Sequence, residues 1–273
     1  MTVEPDARPA AAARSRTLTV SEVTQETKDS VTISFEIPDA MVEEFKHVPG
    51  QFITVKIPSD RTDHVARCYS LSSSPHVEDF RLEIGIKRTE NGYASNWLCD
   101  NAIPGMELTV LPPSGHFTAK NLDVDFLFFA GGSGITPVLS LIKSALVCGG
   151  GAKSHCSTRI AMPSRSCTRA NWRRSPPSSP ERFTVFHWLE SAMGGIPAPE
   201  DVESAIREHR GAQIYTCGPA PFMDLVQKSA EACGVEHSSV HREVFQSLTG
   251  DPFDIARCVS SATTMVWRPP QSI

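Results

Sequence analysis

The amino-acid sequence predicts an antiparallel β-barrel followed by an α/β domain built on a parallel sheet. Three observations carry that prediction. Across residues 18–111 apolar residues recur with period two, and Pro or Gly punctuates each run. Residues 125–130 are instead a continuous apolar run that enters a glycine-rich turn at 131–137 and then a helical pattern. The same order of strand, turn and helix recurs from residue 213 onward. Alternation marks strands with one face in a core, whereas continuous apolar runs mark strands buried on both faces.

Taken in order, Val31, Ile33, Phe35 and Ile37 form one alternating run, and Ile53, Val55 and Ile57 a second. Phe80, Leu82, Ile84 and Ile86 make a third, and Met106, Leu108 and Val110 a fourth. Pro38, Pro49-Gly50, Pro58, Pro75, Pro104-Gly105 and Pro112-Pro113 supply the turn signals. Ser95-Asn96-Trp97-Leu98 reads as the start of a short helix, with Ser95 as its N-cap. After the second-half glycine turn, Val138, Leu139, Leu141, Ile142, Ala145 and Leu146 share one helix side, with Thr136 as cap and Pro137 in the first turn. Residues 183–188 read as a further strand. Phe222, Leu225, Val226 and Ala230 are spaced helically, and Gly234 stops that helix. The expected division is a disordered terminus at 1–16, a barrel at 17–120, a nucleotide domain at 121–246 and an aberrant tail at 247–273.

At 273 residues the chain is long enough for two cores. A formal net charge of -5 argues against nucleic acid as a partner. No apolar run approaches the roughly 20 residues needed to span a bilayer. Eight cysteines without a secretory signal point to reduced thiols and a cytoplasmic location. None lies in a C-x-x-C pair or in the C-x4-C-x2-C run of a plant-type ferredoxin, and no metal site is expected.

The chemistry concentrates at Arg67-Cys68-Tyr69-Ser70-Leu71. In a strand Arg67 and Tyr69 share a face and Ser70 lies on the other. A guanidinium fork suits phosphate oxygens, a tyrosine ring suits a flat conjugated cofactor, and a serine hydroxyl can donate to a ring nitrogen. Alone, these five residues read equally as an ordinary half-buried strand. Lys87 and Arg88 add charge near the helix start at Ser95, where free N–H groups suit a pyrophosphate. Gly131-Gly132-Ser133-Gly134 offers backbone N–H groups to a phosphate in the same way, although any tight strand-to-helix turn also needs glycine.

Gly50-Gln51-Phe52, Arg67-Cys68-Tyr69-Ser70-Leu71, residues 131–137 and Cys217-Gly218-Pro219 occur in the order seen in ferredoxin-NADP reductase-like flavoproteins. Within that superfamily the chain resembles the reductase components of 3-ketosteroid 9α-hydroxylases and their phenylacetyl-CoA epoxidase relatives. The resemblance runs from about residue 18 to about residue 253. It implies a Greek-key FAD-binding barrel followed by a Rossmann-like nicotinamide-binding domain. It also implies flavin contacts at Arg67, Tyr69, Ser70, Lys87, Tyr93, Ala94 and Ser95. Nicotinamide cofactor contacts follow at Gly132, Ser133, Gly134, Thr136, Pro137, Cys217, Gly218, Pro219 and Phe222. Ser70 and Cys217 would flank the hydride path, with Glu243 beside it and Phe245 covering the ring. The implied activity is electron transfer from NADH, with NADPH left open, through FAD to a separate iron-sulfur or oxygenase component. Intact relatives are expected to carry a fused [2Fe-2S] domain whose cysteine ligands this sequence lacks.

Two stretches depart from that pattern. Residues 149–180 contain no acidic residue and carry Lys153, Arg159, Arg165, Arg169, Arg173 and Arg174. Composition reads this stretch as a disordered basic loop where the α/β pattern needs a buried second strand and a covering helix. Residues 255–273 are equally out of character. Translation out of frame in both stretches is one reading, which resequencing the coding DNA tests, and a true basic insertion that docks an acidic redox partner is the other. Alternative functions are a non-catalytic FAD-binding remnant with a broken nicotinamide domain, and a flavin-independent binding protein.

Overall fold

The computed structural model describes residues 15–78, 81–151, 153–160, 182–193 and 195–254. The first half forms six antiparallel strands: β1 (Arg16–Thr27), β2 (Ser30–Glu36), β3 (Phe52–Ser59), β4 (Asp63–Ser70), β5 (Arg81–Lys87) and β6 (Glu107–Ser114). Their order in the sheet is β4-β3-β6-β1-β2-β5. The two outer strands meet where Leu71 bridges Ile84 and the Ser72 N–H donates to the Glu83 carbonyl at 2.8 Å. The sheet therefore closes on itself and leaves less free edge than an open sheet would. Its interior is the alternating set read from the sequence, including Val31, Ile33, Phe35, Ile53, Val55, Ile57, Leu82, Ile84 and Ile86, all buried. Phe80 lies outside the described residues. Short helices α1 (Val42–Phe45) and α2 (Tyr93–Asn101) flank the barrel.

The second half is a parallel sheet with helices between its strands. It comprises β7 (Phe126–Gly131), α3 (Ile135–Cys148), β8 (Ser154–Ile160), β9 (Phe183–Leu189), α4 (Glu190–Met193), α5 (Pro199–Glu208), β10 (Gln213–Cys217), α6 (Ala220–Ala232) and β11 (Val240–Glu243). The strand order β11-β10-β7-β8-β9 reverses direction between β7 and β10. Open α/β sheets bind ligands outside the carboxyl ends of their strands at such a reversal. Both turns singled out in the sequence, after β7 and after β10, border it. Gly234 ends α6 as expected, with φ 74° and the Val235 N–H returning to the Ala230 carbonyl at 3.0 Å.

Three expectations need correction. Residues 149–180 do not lack the second strand, because Ser154–Ile160 forms β8, parallel to β7 on one side and β9 on the other. A central strand takes ladder hydrogen bonds from two neighbours, so tertiary context overrides a polar composition. Residues 161–180 and the tail from 255 lie outside the described residues. Ser95 is not an N-cap, since Gly92 caps α2 and the Ser95 hydroxyl instead accepts from the Thr89 N–H at 3.0 Å. Thr136 does not cap α3 either. A 3-10 turn at Gly132–Gly134 leads into the helix, and the Thr136 hydroxyl donates back to the Ser133 carbonyl at 2.8 Å. No helix among the described residues is long and apolar enough to cross a membrane.

Candidate active site

A cleft of about 380 Å³ opens between the barrel and the first turn of α3. Arg67, Tyr69, Ser70, Lys87, Tyr93, Ala94, Ser95, Ser133, Thr136 and Phe245 line it together. Cys68 lines it as well, so four consecutive residues of β4 reach one space. Simple alternation would have divided them between two faces. β4 is an outer strand of the sheet order, and its last four residues all line the cleft.

The side chains here suit a large, flat, anionic ligand. Arg67 gives one N–H to the Ala66 carbonyl at 2.7 Å, which orients the guanidinium along the strand. Tyr69 packs against the barrel core, and burial raises its hydroxyl pKa. Tyr93 donates to the Pro58 carbonyl at 2.8 Å, tying the start of α2 to the β3–β4 hairpin. No side chain caps α2, and its first turn presents Tyr93, Ala94 and Ser95 to the cleft. Uncapped N–H groups at the positive end of a helix favour a diphosphate.

At the carboxyl edge of the parallel sheet, Ala130, Cys217 and Glu243 stand in one row across β7, β10 and β11. The turns beyond them touch backbone to backbone. A Cβ on Gly134 would lie 2.1 Å from the Cys217 carbonyl oxygen, and one on Gly218 would lie 3.0 Å from Gly131. Only glycine allows that approach. Ser70 reaches this row from the barrel, its hydroxyl donating to the Glu243 carboxylate at 3.2 Å. Burial pushes the Glu243 carboxyl up to about 7, and the Ser70 hydrogen bond pulls it partly back. Burial first, and the Glu243 charge second, hold the Cys217 thiol well above its ordinary value. Cys217 is thus a neutral thiol at neutral pH rather than a thiolate nucleophile. Glu243 is a group that can gain or lose a proton near pH 7.

Residues 17–119 match the family described as an oxidoreductase FAD-binding domain, and residues 128–228 that described as an oxidoreductase NAD-binding domain. The chain is 47% identical over 247 residues to the ferredoxin reductase component of 3-ketosteroid-9-alpha-monooxygenase from Rhodococcus rhodochrous, covering 88% of this chain and 68% of that protein. The chain belongs to the FAD- and NAD-binding ferredoxin reductases. It is an NAD(P)H-dependent flavin oxidoreductase that carries electrons from a nicotinamide cofactor through FAD. Glycine betaine monooxygenase reductase subunit from Pseudomonas aeruginosa is 32% identical over 236 residues, 82% of this chain and 62% of that one. Among solved structures, the fold is shared with an Amycolatopsis cytochrome P450 reductase. That match has a TM-score of 0.72 at 20% identity and covers 85% of this chain and 70% of that one.

Several residues of the expected motifs pack beneath the turns or in the core rather than in the cleft lining. Phe222 is 2% exposed and packs in the apolar layer with Leu127, Phe129 and Val226. Pro137 is buried in the first turn of α3, and Pro219 caps α6 beside Gly131. Gly50, at φ 92°, serves packing, because a Cβ there would stand 1.9 Å from the Phe117 carbonyl oxygen. The structure adds Gly85, Thr89, Gln246 and Ser247 to the cleft lining. Thr89 could have been suspected from its place between Lys87 and Gly92, whereas Gln246 and Ser247 carry no sequence signal.

Proposed function

We propose that this reductase takes electrons from NADH and delivers them to a separate iron-sulfur or oxygenase component whose substrate is a 3-ketosteroid. The observation that carries the electron-transfer part is the Ser70–Glu243 hydrogen bond, which joins the cleft of the barrel to the row holding Cys217. Identity to the Rhodococcus reductase component over 88% of this chain supports the steroid assignment. Bound FAD supplies the chemistry of accepting a hydride from the nicotinamide and releasing electrons one at a time. Arg67, Lys87 and the first turn of α2 would hold its diphosphate, while Tyr69 and Phe245 would border its ring. The turns at Gly132, Ser133, Gly134 and Gly218 receive the nicotinamide nucleotide. Ser70 and Glu243 hold a proton between them at the meeting of the two sites, and Cys217 keeps water out of the same edge.

The acceptor is proposed as a separate component because the relatives at 47% and 32% identity are reductase components or subunits of monooxygenases. The proposal includes a cytoplasmic location, which the free cysteines Cys68, Cys99, Cys148, Cys217 and Cys233 support. A defective nicotinamide domain would have lacked a central strand and its covering helix; β8 supplies the strand, and the place of the helix lies outside the described residues. The test is steady-state oxidation of NADH and NADPH by FAD-loaded protein with a [2Fe-2S] ferredoxin and a Rieske oxygenase fed a 3-ketosteroid. The expected result is acceptor-dependent NADH oxidation coupled to a hydroxylated steroid. Oxidation of NADPH alone, or NADH oxidation that no ferredoxin or oxygenase accelerates, would overturn the assignment.

A further inference from the structure

Helix α3 is buried on every side from Ile135 to Leu146, yet four of its buried residues are polar. Val138, Leu141, Ile142 and Ala145 pack with the parallel sheet. Thr136, Ser140, Lys143 and Ser144 follow the spacing of a second stripe, at i, i+4, i+7 and i+8. Buried polar groups, and above all a buried ammonium, need partners. Ser140, Lys143 and Ser144 find theirs on the barrel side, whereas Thr136 donates within its own turn to the Ser133 carbonyl.

Thr136 abuts β5 so closely that a Cβ on Gly85 would lie 3.1 Å from its hydroxyl oxygen. One turn on, the Ser140 hydroxyl donates to the Ser73 carbonyl at 2.5 Å. At the far end Ser144 and Ser74 share a hydrogen bond of 2.7 Å between their hydroxyls. Lys143, 7% exposed, donates to the Glu78 carboxylate and has Glu83 at 3.9 Å, and both carboxylate side chains are only 12% exposed. Each carboxylate is itself anchored. Glu78 accepts from the Ser74 N–H at 2.7 Å, and Glu83 accepts from the Ser34 hydroxyl at 3.3 Å. A buried ion pair of this kind contributes little net stability, and its attested use is to fix one geometry over its alternatives.

We infer that Lys143, with Glu78 and Glu83, is a positioning residue for hydride transfer. It locks α3, and with it the turn that carries Ser133 and Thr136, onto β5 and the segment that follows β4, the strand that carries Arg67 and Ser70. Lys143 touches neither cofactor site, lying about 10 Å along the helix from Thr136 at 1.5 Å per residue. It acts by holding the nicotinamide turn in register with the flavin cleft. The inference rests on the reductase reading, and it goes beyond it in assigning the domain interface a part in the reaction.

The test compares full-length FAD-loaded wild type with K143M, K143R and the double variant S140A/S144A. Amide hydrogen exchange is followed across residues 71–78 and 131–146 with and without FAD. Flavin reduction is followed by anaerobic stopped-flow at saturating NADH. K143M is expected to exchange faster in both segments and to reduce its flavin at least about tenfold more slowly, since a misplacement of about 1 Å can cost up to about a hundredfold. FAD content and reduction by dithionite should stay unchanged, and K143R should recover most of the rate. S140A/S144A removes two interdomain hydrogen bonds without stranding a charge, so it decides the matter if K143M does not fold. It is expected to slow reduction about threefold. The inference is overturned if K143M, or S140A/S144A in its place, keeps wild-type exchange and a rate within about twofold of wild type. A rate that falls only in proportion to lost FAD overturns it as well. A wild type that NADH does not reduce contradicts the reductase reading instead, and the exchange comparison alone then decides whether the lock exists.

Discussion

Replacing Glu243 with glutamine should stabilise the protein above neutral pH and flatten its stability profile below it. The carboxyl sits at the meeting of barrel and sheet, and burial lifts it from its ordinary 4.5 to about 7. Between those values the folded protein binds more protons than the unfolded chain. Stability contributed by the neutral acid is therefore present at low pH and lost as pH rises through that window. A gap of roughly two and a half units, at about 1.4 kcal/mol each, sets the loss at ~3.5 kcal/mol, complete by about pH 8. Glutamine keeps the shape and can still hydrogen-bond the Ser70 hydroxyl, but it has no charge to bury. Urea unfolding of the FAD-loaded protein, followed by flavin release at pH 5 and pH 8, reads the difference. The wild type should lose stability between those two pH values and the variant should not, leaving the variant ahead at pH 8 by about 1–3 kcal/mol. Equal pH slopes, or a variant weaker than wild type at pH 8, would refute the reasoning that burial of Glu243 outweighs its hydrogen bond to Ser70.

Arg67→Ala removes the guanidinium fork from the cleft. FAD binding, measured by quenching of flavin fluorescence, should weaken about 10- to 100-fold, the equivalent of one or two charge-assisted hydrogen bonds. An unchanged dissociation constant would remove Arg67 from the flavin site. Gly134→Ala places a Cβ 2.1 Å from the Cys217 carbonyl oxygen, so the two turns must part. Overpacking of this kind costs about 1–3 kcal/mol. Reduction by NADH should fall at least tenfold while FAD stays bound to the barrel, an outcome that anaerobic spectra at matched FAD content would check.

Much of the barrel was legible because its physics is local. Val31, Ile33 and Phe35, or Ile53, Val55 and Ile57, alternate with polar neighbours, and all are buried in the structure. β7 and β10 were legible as strands feeding glycine turns. β8 was not, because Ser154-His155-Cys156-Ser157 carries no apolar pattern and owes its strand to two parallel neighbours. Caps misled at Ser95 and Thr136 because the helices begin earlier, at positions the backbone supplies without a side-chain donor or acceptor. Phe222 has the right spacing for a helix face but the face points into the core. The polar stripe on α3 carries no local signal, because Ser140, Lys143 and Ser144 gain their partners across 65 to 70 residues of chain. The contact between Ser70 and Glu243 spans 173 residues of chain, and no local pattern encodes it. Motifs can name the two halves of such a site, while only the fold sets their distance.

The most direct test of the account is the visible spectrum of the FAD-loaded protein before and after anaerobic NADH. Bound flavin should be bleached by NADH, because the turn after β7 lines the cleft that carries Arg67, Tyr69 and Ser70 and packs against the turn after β10. A flavin that stays oxidised with NADH but bleaches with dithionite would contradict it, leaving a barrel that binds FAD beside a sheet that does not deliver hydride.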